Sequence, residues 1–129
     1  MADPAIEGSP HDPEALPPKP EVDSATFAAL DLRVGEVVDV VPFPEARRPA
    51  WKLAVDFGPH LGVRWTSAQI AEYAAEELRG RQVVAVTNLG RKRIAGFVSE
   101  FLVLGGLEPD GRVRLLAPDT TLPLGAPVA

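Results

Sequence analysis

Leu53, Val55 and Phe57 alternate with Lys52, Ala54 and Asp56. A period of two puts one set of side chains on a buried face and the other in water, as in a half-buried strand. The pattern recurs along the chain, and glycine or proline punctuates the runs. Leu32, Val34, Val38 and Val40 share one parity and predict a long strand over about 31–41, with Gly35 as a bulge or barrel bend. Leu61, Val63 and Trp65 predict a third strand after the Gly58–Pro59 break, paired with the second as a hairpin and turning Trp65 into the core. Val83–Val86 and Phe97–Leu104 read as buried fourth and fifth strands. Gly105–Gly106 reads as a turn, and Asp110–Gly111 is a tight-turn signal before a sixth strand, Arg112–Leu116. Helix is expected over 67–79, where Ile70, Ala74 and Leu78 recur every four residues, with Thr66 and Gln69 as a capping box and Gly80 as the stop. A shorter helical turn over Phe27–Leu30 would be capped by Ser24 or Thr26. From Pro118 to Ala129 the chain reads as irregular.

Five strands with one helix between the third and fourth predict a mainly β fold, a five-stranded OB-type Greek-key barrel with short extensions at both ends. Barrels of this kind bind oligonucleotides through the loops joining strands 1–2 and 4–5. Those loops are the most basic pieces of this chain. The first runs from Pro42 to Lys52 and holds Arg47 and Arg48, flanked by Phe43 and Trp51. Its three prolines restrict the backbone and reduce the entropy lost on binding. The second holds Arg91, Lys92 and Arg93 between Gly90 and Gly96, beside Phe97. Guanidinium forks suit phosphate, and aromatic rings offer stacking platforms for bases. Each feature also has a plainer reading: basic runs are commonly solvated surface, and Phe43 and Trp51 can equally cap a barrel core.

The formal charge of −5 argues at first against a nucleic-acid partner. The excess is confined to residues 1–23, which carry six acids and one base; the remaining residues hold 12 of each. That segment also holds six of the 14 prolines and has no apolar periodicity, so it is expected to be a disordered acidic tail preceding a domain over 24–129. Its charge makes it a competitor for the cationic loops of its own molecule, although a solubilising tail is the simpler expectation. It lacks the basic start and apolar run of a secretory signal, and a cytoplasmic location is expected. No apolar stretch approaches the roughly 20 residues of a membrane span.

Absence of cysteine excludes disulfides, thiolate metal sites and a cysteine nucleophile, and two histidines cannot build a multi-histidine centre. His11 and His60 belong to no recognisable triad motif, and no glycine-rich phosphate loop is present. Neither an enzyme, a metal nor a cofactor is expected.

Six segments, in order, resemble the CsaA family: Leu32-Arg33-Val34-Gly35, Phe43-Pro44-Glu45-Ala46-Arg47, Lys52 to Pro59, Ser67-Ala68-Gln69-Ile70, Gly80-Arg81-Gln82-Val83, and Ile94 to Glu100. These are small bacterial and archaeal proteins described as export-related chaperones, within a tRNA-binding-domain superfamily that also occurs at the end of methionyl-tRNA synthetases. The resemblance covers about residues 26–129. It implies a homodimer, with Leu115, Leu116, Leu122, Leu124 and Val128 as candidate contacts, and partners that include tRNA, unfolded preproteins and the translocase motor SecA. Many relatives carry prolines near 90–91, so Gly90 and Arg91 imply a looser, more basic loop. Ser99-Glu100 is a superfamily hallmark, and its place in an apolar run assigns it to barrel structure.

Two functions follow from the resemblance. A chaperone would line an apolar groove with Phe43, Trp51 and Phe97. A tRNA-binding module would hold phosphates with Arg47, Arg48, Lys52, Arg91, Lys92 and Arg93.

Overall fold

The computed structural model describes residues 11–129. The first ten residues of the expected acidic tail lie outside the described residues. Residues 13–23 are exposed throughout, with one 3₁₀ turn at Pro13–Ala15. Helix α1 (Ser24–Ala28) is capped by Asp23, one residue before the expected serine cap. The Asp23 carboxylate accepts from both the amide and the hydroxyl of Thr26, at 2.9 and 2.7 Å. Those bonds favour the ionised acid and lower its pKa.

Nine strands follow among the described residues: β1 (Leu32–Pro42), β2 (Trp51–Asp56), β3 (Val63–Ala68), β4 (Gln82–Val86), β5 (Lys92–Ile94), β6 (Phe97–Ser99), β7 (Leu102–Val103), β8 (Gly105–Leu107) and β9 (Val113–Leu115). The main sheet is antiparallel, in the order β3-β2-β1-β4-β7, and curls into a nearly closed five-stranded barrel. β1 makes this possible because it serves two partners. Its first half pairs with β4 and its second with β2.

The bulge in β1 lies at Val38, between Val37 and Asp39, and not at Gly35. Val37 and Val40 are both buried, while Val38, expected inside, is exposed. The extra residue resets the parity of the strand. Gly35 has a different duty. A Cβ there would lie 2.5 Å from Val55 Cγ1 and 2.8 Å from the Phe57 ring, so both side chains pack directly on its backbone.

The C-terminal segment is not loose. Gly125 N donates to Val34 O at 2.8 Å, Val34 N to Ala126 O at 2.9 Å, and Val128 N to Leu32 O at 3.0 Å. These residues occupy the edge of β1 that β2 leaves unpaired.

Helix α2 is only Ala75–Leu78, much shorter than the expected 67–79. β3 continues to Ala68, and Thr66 is buried in it instead of capping a helix. The Thr66 hydroxyl is satisfied there: it lies 2.7 Å from Ser99 Oγ and donates to Phe101 O at 2.8 Å. Among the described residues no buried side-chain polar atom lacks a partner. Ile70 and Leu78 are buried, whereas Ala74 is exposed and its amide is held by Glu77 Oε1 at 2.7 Å.

The expected fifth strand is broken at Glu100. The Glu100 amide donates to Trp65 O at 2.8 Å, and its carboxylate accepts from Trp65 N at 3.0 Å. One residue thus makes two ladder-like bonds to β3 and closes the barrel, giving Ser99-Glu100 the structural role expected of it. Gly105–Gly106 is strand, not turn: β8 pairs with β9, and a Cβ on Gly105 would lie 2.4 Å from Val113 Cγ1.

The core gathers Val37, Leu53, Phe57, Ile70, Leu78 and Phe101, with the two phenylalanine rings edge-to-face at 4.9 Å. Leu115 belongs to this core, so it is occupied within its own chain, while Leu116 and Leu122 are exposed. No helix among the described residues is long and apolar enough to cross a membrane.

Candidate nucleic-acid interface

Alternation in β2 decides which side chains reach the outer face. Leu53 points into the core, so Lys52 points out and Trp51 shares the inner side. The Trp51 indole N–H donates to Tyr73 O at 3.0 Å and its ring packs against the core cluster. Lys52 Nζ lies 4.8 Å from the Phe43 ring centroid and 5.0 Å from that of Phe97. The two rings meet edge-to-face at 5.5 Å. Phe43 is only 4 % exposed, so it forms the floor of this cluster, with Phe97 more open above it.

Trp65 corrects a sequence expectation. It is not core: with Val41, Lys52 and Phe97 it lines an open cleft of about 340 Å³ on the outer face. Directly opposed residues on paired strands share a face. Leu53 opposes Thr66, and Ala54 opposes Trp65. Odd positions of β2 therefore face even positions of β3, and the apolar-looking set Val63 and Trp65 turns outward. Val63 is 53 % exposed. The signal available in sequence was the hydroxyl–methyl pair Thr66 and Ala68 at the alternate parity.

Lys92 and Arg93 belong to a paired hairpin, not to the looser loop expected, and Arg91 directly precedes it. Lys92 opposes Ser99, Arg93 opposes Val98, and Ile94 opposes Phe97. The two-residue connection is Ala95–Gly96, with φ of 48° and 81°. Positive φ at both positions matches the hairpin twist, at a cost for the alanine of about 1 kcal/mol. Pairing also splits the basic run. Lys92 and Ile94 share the face of Phe97 and Ser99, while Arg93 lies on the other face, its guanidinium 3.4 Å from Gly96 O. Arg91 reaches Glu100 at 3.8 Å with 77 % of its side chain exposed, too wet a contact to neutralise it strongly.

The two basic elements converge. Arg47 and Arg48 line one cavity of about 420 Å³ with Ser67, Gln69, Ile94 and Ala95. Arg91 and Lys92 line a second of about 250 Å³, which shares Ser67 and Ile94 with the first. β3 is the divider between them, and the aromatic cleft lies on the same strand through Trp65. The structure thus joins Arg47, Arg48, Arg91 and Lys92 around one end of the barrel, with Lys52 in the adjoining cleft. It sets Arg93 on the far face of the hairpin and Trp51 on the inner side of β2. Ser67, Gln69 and Trp65 are lining residues that sequence reasoning missed. Such a surface offers fixed cations around flat apolar faces. Among the described residues, no group of three or more His, Cys, Asp or Glu side chains is placed to hold a metal.

Comparison with known proteins bears on this surface. Residues 32–127 match the family described as "Putative tRNA binding domain". The methionine–tRNA ligase of Bacillus subtilis is 35% identical over 115 residues, 88% of this chain and 17% of the ligase. That of Pyrococcus abyssi is 40% identical over 103 residues, 79% of this chain and 14% of the ligase. The chain therefore spans less than a fifth of these relatives' length. Two solved structures match along their whole length. A CsaA chaperone protein from Picrophilus torridus is 41% identical, with a TM-score of 0.80 over 84% of this chain. The chaperone CsaA from Bacillus anthracis is 47% identical, with a TM-score of 0.81 over 85% of this chain.

Proposed function

We propose, from the premise that this chain belongs to the tRNA-binding-domain family and within it to the CsaA family, that it is a non-catalytic module holding tRNA at the cationic end of its barrel. The observation that carries this reading is the convergence of Arg47 and Arg48 with the Lys92–Ser99 hairpin around adjoining cavities. Phosphates would be taken by the arginines and lysines. An unpaired base would lie against Trp65 and Phe97, since RNA is read mainly at unstacked bases and through its backbone.

Binding of bulk tRNA across a salt series tests it. About six phosphate contacts should give a log–log slope of about −4 to −5. A flat response, or no binding at low salt, excludes the assignment.

A second reading, a secretion-related chaperone for unfolded preproteins, is favoured by the apolar wall of the Trp65 cleft and by the names of the two CsaA structures. Of the groove residues expected from sequence, Phe97 opens onto this cleft beside Trp65 and Phe43 supports Phe97 from below, whereas Trp51 lies on the inner side of β2. Trp65→Ala should weaken binding of an unfolded preprotein about tenfold, as loss of one aromatic anchor commonly does. Equal affinity in a fluorescence titration eliminates this reading. A homodimer, SecA as a partner and a cytoplasmic location belong to the same proposal.

A further inference from the structure

We propose that the main chain of Ser67 reads the ribose 2′-hydroxyl of a nucleotide held between the two basic cavities, so that the site selects RNA over DNA. The inference rests on the reading of these cavities as a tRNA site.

Ser67 stands at their junction. It is half-buried and lines both, with Arg47 and Arg48 on one side and Arg91 and Lys92 on the other. Register decides where its backbone points. In an antiparallel pair, opposed residues alternate between those that exchange hydrogen bonds and those that do not. Phe57 N donates to Gly62 O at 2.9 Å, so the bonded pairs of β2 and β3 continue as Val55–Arg64 and Leu53–Thr66. Ala54–Trp65 and Lys52–Ser67 are the pairs between them. The N–H and C=O of Trp65 and Ser67 therefore point to the edge of β3 away from β2. At Trp65 both groups are taken by Glu100. At Ser67 they are open. Among the described residues its amide has no acceptor. Its carbonyl meets only the Thr66 hydroxyl, at 3.4 Å, and that hydroxyl donates to the nearer Phe101 O at 2.8 Å.

These two groups define the ligand. A half-buried backbone donor and acceptor take partners from water or from a bound molecule. Side by side on one residue, they match a 2′-hydroxyl, which both accepts and donates, whereas deoxyribose offers nothing at that position. The flanking cations would hold the phosphates on either side of this ribose. A peptide strand is a poorer match. Strand addition pairs alternate residues over a run of edge. Between the Glu100 closure at Trp65 and the end of β3 at Ala68, Ser67 is the sole residue whose backbone faces this edge.

The test presents the full chain with one tRNA sequence in three forms: as RNA, as DNA, and with fluorine in place of each 2′-hydroxyl. Fluorine keeps the RNA sugar pucker but cannot donate. RNA should bind about tenfold more tightly than either analogue, the loss expected from one unmade pair of hydrogen bonds. Ser67→Ala leaves the main chain unchanged and should keep that ratio; a lost ratio would assign the reading to the side-chain hydroxyl and overturn the proposal. Amide hydrogen exchange in the parent locates the contact. The Ser67 amide should exchange about tenfold more slowly with RNA bound than with DNA bound, while the Trp65 amide, held by Glu100, stays protected in both. Equal exchange at Ser67 overturns the assignment. A fluorinated form that binds as tightly as RNA means that sugar shape is read, and also overturns it. Equal, salt-sensitive binding of RNA and DNA overturns the selection and leaves the cationic site standing. Binding of none of the three removes the tRNA reading, and this proposal with it. Protection of the Ser67 amide by an unfolded preprotein alone would overturn the proposal in favour of a peptide.

Discussion

Replacing Arg91, Lys92 and Arg93 together with alanine is expected to weaken tRNA binding on the order of 100-fold at about 0.1 M salt. Three lost phosphate contacts should also make the salt slope shallower by about 2 to 3. The barrel should survive. Arg91 and Glu100 are 3.8 Å apart and the arginine is mostly in water, so their pairing contributes little to stability. The hairpin keeps its Ile94–Phe97 pair and its Ala95–Gly96 turn. A gel shift at two salt concentrations, beside a melting curve, separates binding from folding. An unchanged affinity with an unchanged melt would remove the hairpin from the interface. Because pairing sets Arg93 on the face away from Lys92, the single Arg93→Ala exchange should account for the smallest share of the loss.

Gly35→Ala is expected to destabilise the barrel strongly. The new Cβ would sit 2.5 Å from Val55 Cγ1 and 2.8 Å from two atoms of the Phe57 ring. Val55 and Phe57 are both fully buried, and Phe57 is held edge-to-face on Phe101. Neither can yield without displacing β2 or the ring pair. Overpacking of this kind costs about 3 kcal/mol. Against a typical total of about 5–15 kcal/mol, that is a large share, and the midpoint should fall by about 10–20 °C. Val38→Ala, at the exposed bulge residue of the same strand, should change the midpoint by only a degree or two. Equal melts for Gly35→Ala and the parent would show that β1 and β2 are not packed as described.

Much of the fold was legible because burial on one face of a strand leaves a period of two. Leu53, Val55 and Phe57 are all buried, as that period requires. Val83–Val86 and the Asp110–Gly111 turn also stand as read. Two of the strand failures have one cause: period two is lost or inverted wherever a bulge or a pairing partner intervenes. Val38 reads as inward by parity, but Val37, opposite Val55, holds the inner face, and the bulge after it hands that face to Val40. Trp65 reads as core by its alternation with Val63, but pairing with β2 gives the inward place to Thr66. The four-residue spacing of Ile70, Ala74 and Leu78 imitates a helix, yet Ile70 reaches the core from a turn and only Ala75–Leu78 is helical.

The candidate site divides in the same way. Its cations, clustered in two runs outside the core strands, were determined by sequence alone, because charged residues there have no core to enter. So was the placement of the acidic excess in residues 1–23. Tertiary structure decided which of these groups meet. Strand closure through Glu100 and Trp65 brings the hairpin over β3, so that Arg91 and Lys92 adjoin the cavity of Arg47 and Arg48. It also decided that Trp65 lines the open outer cleft while Trp51 packs against the core. Local sequence carries the alternation of a strand but not its register, and a shift of one residue exchanges its two faces.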